Sequence, residues 1–251
     1  MKYDIDTIVI AVGGQGRRIA NDLRKREIMA SKVFLKLYEK PVLGHLIDLS
    51  LALNFQRIFL LSSYYENELR SYLRRNYSNN RQIIPIYGGR TGRRWGVPWL
   101  LHSIRQKLQG PFIYSDGNIL YSPSILKKIK NIEALRSALA NIVLSTKDLA
   151  PTHSRVILRK GRINEIHTRL QWPDKGTGNH SRGKQYYSLG LMSLSESIFS
   201  SVPRFAYRKD LDYVISDVFK SKKDLVRWTI YKGDWIAIHT IQDVDNLAIK
   251  S

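Results

Sequence analysis

Short apolar runs bounded by glycine, proline and polar turns alternate along the chain with stretches whose apolar residues recur every three to four positions. The runs predict strands over 7–12, 57–62, 83–86 and 111–114. Between them, 42–53 (Val-Leu-Gly-His-Leu-Ile-Asp-Leu-Ser-Leu-Ala-Leu), 66–75 and 99–108 carry helical spacing, the last closed by Gly110-Pro111. This βαβα order predicts an α/β fold with a mostly parallel central sheet covered by helices, in which a ligand sits at the carboxyl ends of the strands. From about residue 140 the texture changes to short strands over 141–145, 154–158 and 162–167, with Lys160-Gly161 as a tight hairpin turn, which predicts a small mixed β insertion. A stretch without periodicity, 172–184, reads as a surface loop. A strand over 186–192, helices over 194–202 and 211–219, and a closing hairpin of 225–231 with 235–238 complete the reading.

Composition narrows this picture further. A length of 251 residues fits one domain with a full core, and 43% hydrophobic with 25% charged residues marks a folded chain rather than a disordered one. The chain has no cysteine, which excludes disulfides and thiolate metal sites and agrees with a cytoplasmic location. Its apolar runs are strand-length, so neither a membrane span nor a signal peptide is expected. The formal net charge is +20, from 41 Lys and Arg against 21 Asp and Glu, and it divides evenly about residue 125. The densest basic stretches, 90–95 (Arg-Thr-Gly-Arg-Arg-Trp) and 220–223, are short, so no dedicated nucleic-acid face is expected. An attraction for nucleotides, phosphates or an anionic surface and simple solvated faces both account for the excess.

The segment Ile8-Val9-Ile10-Ala11-Val12-Gly13-Gly14-Gln15-Gly16-Arg17-Arg18 runs a buried-type strand into a glycine turn that ends in two arginines. Such a turn brings backbone N–H groups close to a polyphosphate, and an arginine beyond it supplies bidentate contacts. A tight strand-to-helix turn with no ligand gives the same pattern. Downstream lies Lys32-Val-Phe-Leu-Lys36-Leu-Tyr-Glu-Lys40-Pro41, and in this order the chain resembles the sugar-phosphate nucleotidylyltransferases. Their loop of type G-x-G-[TS]-R is matched by residues 14–18, with Arg17 in place of Thr or Ser, and Lys32 falls eight residues before Lys40-Pro41, where the signature lysine belongs. Thr91-Gly92 resembles the Gly-Thr-x-Gly turn, residues 110–113 the strand before the Gly-Asp motif, and residues 233–243 the closing Gly-x-Trp-x-Asp-x-x-T-x-x-D segment.

The resemblance implies a single nucleotidyltransferase-like domain over 1–251, with a nucleotide-binding half (1–125) and an acceptor-binding half (126–251). It implies transfer of a nucleoside monophosphate from an NTP to a sugar 1-phosphate or related phosphorylated alcohol, with release of pyrophosphate. Arg18 and Lys32 become the catalytic candidates, and Ala11, Gly13, Gly14, Gln15, Gly16, Arg17, Gly89, Thr91 and Gly92 the nucleotide-binding ones. Members of this family hold Mg²⁺ between two aspartates. Counted from Pro111-Phe112, the first falls on Gly117-Asn118, and the second position carries Ala237. In extended backbone Asp116 and Asn118 share a side and supply a carboxylate and an amide oxygen, while His239 suits Mn²⁺ or Zn²⁺ better than Mg²⁺. The acceptor candidates are Arg169 in place of a lysine, and Tyr187, Ser188 and Gly190, with Ser188 in place of an asparagine. His153, in a loop, has the ordinary expectation of solvent exposure. The altered metal positions also admit a catalytically lapsed relative that binds nucleotides as a regulatory subunit. An oligomer is compatible with either reading.

Overall fold

The computed structural model describes residues 4–12, 31–89, 96–135, 137–147, 153–168, 183–202, 205–207, 210–238 and 243. Strand β1 (Thr7–Ala11) lies between β4 (Arg57–Ser62) and β6 (Phe112–Asp116), parallel to both, and β5 (Ile83–Tyr87) extends the parallel set beyond β4. Their carboxyl ends therefore share one edge. Alternate residues of β1 face different halves of the core. Val9 packs with Phe59, Phe112 and Tyr114, whereas Ile8 and Ile10 pack with Ile58, Leu60 and Ile113. Covering both faces of a parallel sheet is why these strands read as unbroken apolar runs.

The covering helices follow the predicted periodicity. Helix α1 (Val42–Ala52) buries Val42, Leu43, Leu46 and Ile47, and α2 (Glu66–Asn76) buries Leu69 and Leu73 while carrying acids in its first turn and arginines in its last. The helix expected over 99–108 is instead α3 (Val97–Ser103) followed by a 3₁₀ turn (Arg105–Lys107). The amide of Ile104 is shared between the Leu100 and Leu101 carbonyls at 3.3 and 3.2 Å, and this tightening ends the α-helix. Short elements without a sequence signal also form: β2 (Lys36–Leu37), β3 (Lys40–Pro41), β7 (Ile119–Tyr121) and α4 (Pro123–Lys130).

In the second half, β8 (Ala140–Ser145), β9 (Arg155–Arg159), β10 (Arg162–His167), β11 (Lys184–Leu194) and β12 (Val226–Tyr231) complete a sheet of nine strands among the described residues. The β9–β10 turn has the positive φ angles of a tight hairpin, 49° at Lys160 and 69° at Gly161. Strand β11 is longer than predicted. It pairs antiparallel with β8 along one edge and with both β9 and β6 along the other. Because pairing continues through Leu194, the helix expected over 194–202 shrinks to α5 (Ile198–Ser201). Helix α6 (Leu211–Ser221) is capped by Asp210, whose Oδ1 accepts from the Leu211 amide at 2.7 Å.

The expected closing hairpin does not form. Strand β12 pairs parallel with β8, while β13 (Trp235–Ala237) pairs antiparallel with β7 in a separate two-stranded sheet. The intervening turn folds over its own strand, with Tyr231 Oη donating to the Asp234 carbonyl at 2.9 Å and Gly233 pressed against the Tyr231 ring. No described helix is long and apolar enough to cross a membrane.

Candidate active site

At the carboxyl edge of the parallel strands, the chain leaving β6 turns back onto β1. The Gly117 amide donates to the Ala11 carbonyl at 2.9 Å, and a Cβ at Gly117 would lie 2.4 Å from that oxygen. This close approach makes residues 117–118 a turn, not the extended pair expected from the sequence. Asp116 is consequently the last residue of β6 and stands on the edge, whereas Asn118 is in the turn and buried, 5% exposed. The Asn118 amide nitrogen donates to the Ile238 carbonyl at 3.0 Å, and its own carbonyl accepts from the Ile238 amide at 2.8 Å. These reciprocal bonds set β13 against β7 and place Ala237 opposite Ile119.

Asp116 itself is tightly seated. Tyr114 Oη donates to Asp116 Oδ1 at 2.7 Å, as two residues apart on one strand allows. Burial, and then the charges of Asp116 and Asp210, push the Tyr114 pKa well above the usual tyrosine value, so the hydroxyl keeps its proton. On the other side lies Gly190, at φ +64°, where a Cβ would lie 2.3 Å from Asp116 Oδ2. Only glycine meets both demands at that position.

Gly190 lies at a break in the sheet. Leu191 is opposite Ser115 on β6, and Tyr187 is opposite Arg155 on β9, so these two strands run end to end along one edge of β11. Between them the Ser188 amide donates to the Ser154 carbonyl at 2.9 Å. Along its other edge the register with β8 shifts between Ser188 and Met192. The result is a gap with Asp116 at one end, Ser154 at the other and Ser188 to Gly190 as its floor. Ser154 Oγ donates to Asp212 on the first turn of α6, which sets that helix start beside the gap. His153 is 7% exposed, against the expectation for a loop histidine, because it sits at the root of β9. Tyr187 and Ser188 are buried, and the Tyr187 hydroxyl accepts from Gln185.

The remaining candidates distribute around this edge. Ala11 ends β1, and the Val12 amide bonds the Leu61 carbonyl at 2.9 Å. Gly89, at φ +52°, follows β5, and its amide donates to Glu66 Oε1 at 2.7 Å. Lys32 opens a 3₁₀ turn (Lys32–Phe34) and is half-buried. Three residues later, Leu35 joins Val42 and Ile238 in a small apolar cluster that ties the lysine segment to the closing strand. Gly13, Gly14, Gln15, Gly16, Arg17, Arg18, Thr91, Gly92, Arg169 and His239 lie outside the described residues. Sequence reasoning missed Tyr114, Ser154 and Asp212. Only Asp212 had a signal, as an acid in the first turn of a capped helix.

No family model and no curated protein matches the sequence. Solved structures do resemble the fold. One from Bacillus anthracis, designated a glucose-1-phosphate thymidylyltransferase and in complex with a sucrose, aligns with a TM-score of 0.77 at 14% identity, over 97% of this chain and 94% of that one. The inositol-1-phosphate CTP transferase from T. maritima aligns at 0.74 and 15% identity, over 99% and 97% of the two chains. HddC from Yersinia pseudotuberculosis, complexed with GMP-PN, aligns at 0.68 and 18% identity, over 98% and 99%. Over nearly its whole length, the chain has the fold of a nucleotidyltransferase.

Proposed function

We propose that the protein is a nucleotidylyltransferase that moves a nucleoside monophosphate from an NTP to a sugar 1-phosphate or related phosphorylated acceptor. An acceptor phosphate oxygen attacks the α-phosphorus, the bond from that phosphorus to the bridging oxygen breaks, and pyrophosphate leaves with the electron pair. The observation that carries this reading is the Asp116 carboxylate on the carboxyl edge, facing a gap in the sheet beside the end of β1.

Mg²⁺ or Mn²⁺ fits this donor set. Mg²⁺ commonly takes one or two protein carboxylates, with substrate phosphates and water completing its shell. Asp116 is the carboxylate, and Asn118, whose amide nitrogen is engaged with Ile238, is the secondary candidate together with His239. Among the described residues no three His, Asp or Glu side chains gather into a metal cage, and an ion completed by a triphosphate requires none. When bound, the ion neutralises charge on the phosphates. The chain's own contributions are positioning and charge. Backbone N–H groups of residues 13–16 cradle the triphosphate, Arg18 clamps it, and Lys32 bridges the α-phosphate and the incoming phosphate. Gly89, Thr91 and Gly92 line the nucleotide side, and Arg169, Tyr187, Ser188 and Gly190 the acceptor side.

The test is pyrophosphate release by the purified protein across the four common NTPs and a panel of sugar 1-phosphates and phosphocholine, with Mg²⁺ and Mn²⁺ tried separately. Turnover with one NTP and one acceptor is the expected result, and Lys32→Ala should then lower kcat about 10²–10³-fold. Ala237, where the resemblance calls for a carboxylate, favours one second reading, a nucleotide-binding regulatory subunit. Silence with both metals alongside measurable nucleotide binding would establish it in place of the enzyme.

A further inference from the structure

We infer that Tyr114 is a positioning residue, whose hydroxyl holds the Asp116 carboxylate in the orientation that takes a divalent cation. The inference rests on the reading of Asp116 as the metal carboxylate and adds what makes one carboxylate sufficient.

A site with two aspartates fixes an ion by having ligands on two strands, so that each carboxylate limits where the other is useful. This chain has Ala237 at the second position, and the orientation of Asp116 has to come from elsewhere. Tyr114 is 2% exposed, and its ring is packed among Phe112, Met192 and the other side chains of that core face. Its hydroxyl is therefore fixed in space and takes Oδ1 at 2.7 Å. On the opposite side Oδ2 lies in the space that a side chain at position 190 would fill. The carboxylate lies between a fixed donor and a glycine that leaves it room, and a rotation about its χ angles would break the bond to Tyr114. Hydrogen-bonding partners of this kind orient ligands and govern metal affinity although they never touch the ion.

A neighbouring tyrosine supplies the control. Tyr121 is also buried, and its hydroxyl donates at 2.7 Å to Ser115 Oγ, one residue before the aspartate. Removing either hydroxyl takes one buried hydrogen bond from the same strand, but only Tyr114 touches Asp116.

The experiment titrates Mn²⁺ together with a non-hydrolysable NTP analogue into the full chain and its Tyr114→Phe, Tyr121→Phe and Asp116→Asn variants, reading the protein-bound ion by electron paramagnetic resonance, with thermal unfolding run in parallel. Mn²⁺ binding should be lost in Asp116→Asn, weakened about tenfold in Tyr114→Phe and unchanged in Tyr121→Phe. Equal binding by Tyr114→Phe and the parent would overturn the inference. So would equal weakening in both tyrosine variants, the signature of a merely structural hydroxyl, or a parent without an Asp116-dependent site. Pyrophosphate release is scored separately. A parent that binds Mn²⁺ through Asp116 but releases no pyrophosphate defeats the proposed reaction and leaves the role of Tyr114 standing. An active parent with an indifferent Tyr114→Phe does the reverse.

Discussion

The two halves of the sheet are built on different rules. Around β1 every pairing is parallel and runs in unbroken register, from Thr7 opposite Arg57 to Ala11 opposite Leu61 and Asp116. Around β11 every pairing is antiparallel, three strands share its two edges, and the register with β8 shifts midway. The first arrangement makes a stiff platform that presents strand ends. The second makes an arm whose irregular stretch in β11, Ser188 to Gly190, faces those ends. The candidate chemistry lies at their meeting, where the pairing of β11 is interrupted beside Asp116.

Substitutions on each side of that boundary should separate the two rules. Phe59 is 1% exposed on the platform, and Phe59→Ala should cost about 3–5 kcal/mol in denaturant unfolding. A loss below about 1 kcal/mol would mean that the platform is less closely packed than its burial indicates. At the meeting point, Gly190→Ala should cost less, about 1–3 kcal/mol for a side chain at positive φ, because the atom it meets first is the end of the Asp116 side chain, which can turn away. It should nonetheless displace the Asp116 carboxylate and weaken Mn²⁺ binding more than Tyr114→Phe does. An alanine variant that retains full Mn²⁺ affinity would contradict the clamp.

The smallest effect belongs to the far edge of the platform, where Arg57 donates to Asp6 Oδ1 at 3.1 Å. Burial raises the Asp6 pKa, but hydrogen bonds from Thr7 and Arg57 outweigh it and leave the group below its ordinary value. The folded state therefore binds its proton less readily than the unfolded chain. The resulting stabilisation is complete above the ordinary carboxylate pKa of about 4 and is lost as pH falls through the lower folded value. For so exposed a pair it should amount to less than about 1 kcal/mol. Asp6→Asn should be slightly less stable than the parent at pH 7 and level with it near pH 2, measured by urea unfolding. A gap that persists at low pH would assign the loss to packing instead.

Much of the platform was legible in the sequence because each of its elements announces itself locally. The strand before the glycine turn, the apolar spacing of α1 and the order Lys32, Lys40, Pro41 needed no partner to be recognised. The arm was legible as short strands but not in their pairing. Nothing near Trp235 tells that its strand crosses to β7 while β12 joins β8, since both partners are about a hundred residues away in sequence. The gap is harder still to read, because it is an interruption between two strands that share an edge and has no residue type of its own. Tyr114 was missed for a related reason. A tyrosine in an apolar strand looks like core, and its ring is core, while its hydroxyl is part of the site. Asp116 and Asn118 were both noticed, but counting along an assumed straight strand could not tell which stands on the edge. The bend at Gly117 decides it.

The reciprocal bonds between Asn118 and Ile238 have an evolutionary consequence. They run through two backbone carbonyls, a backbone amide and one side chain that is not at position 237, so neither bond depends on the residue that stands there. Position 237 is in this sense a socket whose occupant can be exchanged without rebuilding its mount. Every alanine codon is one base from a codon for aspartate or glutamate, so a lineage with this architecture is a single substitution from a second carboxylate.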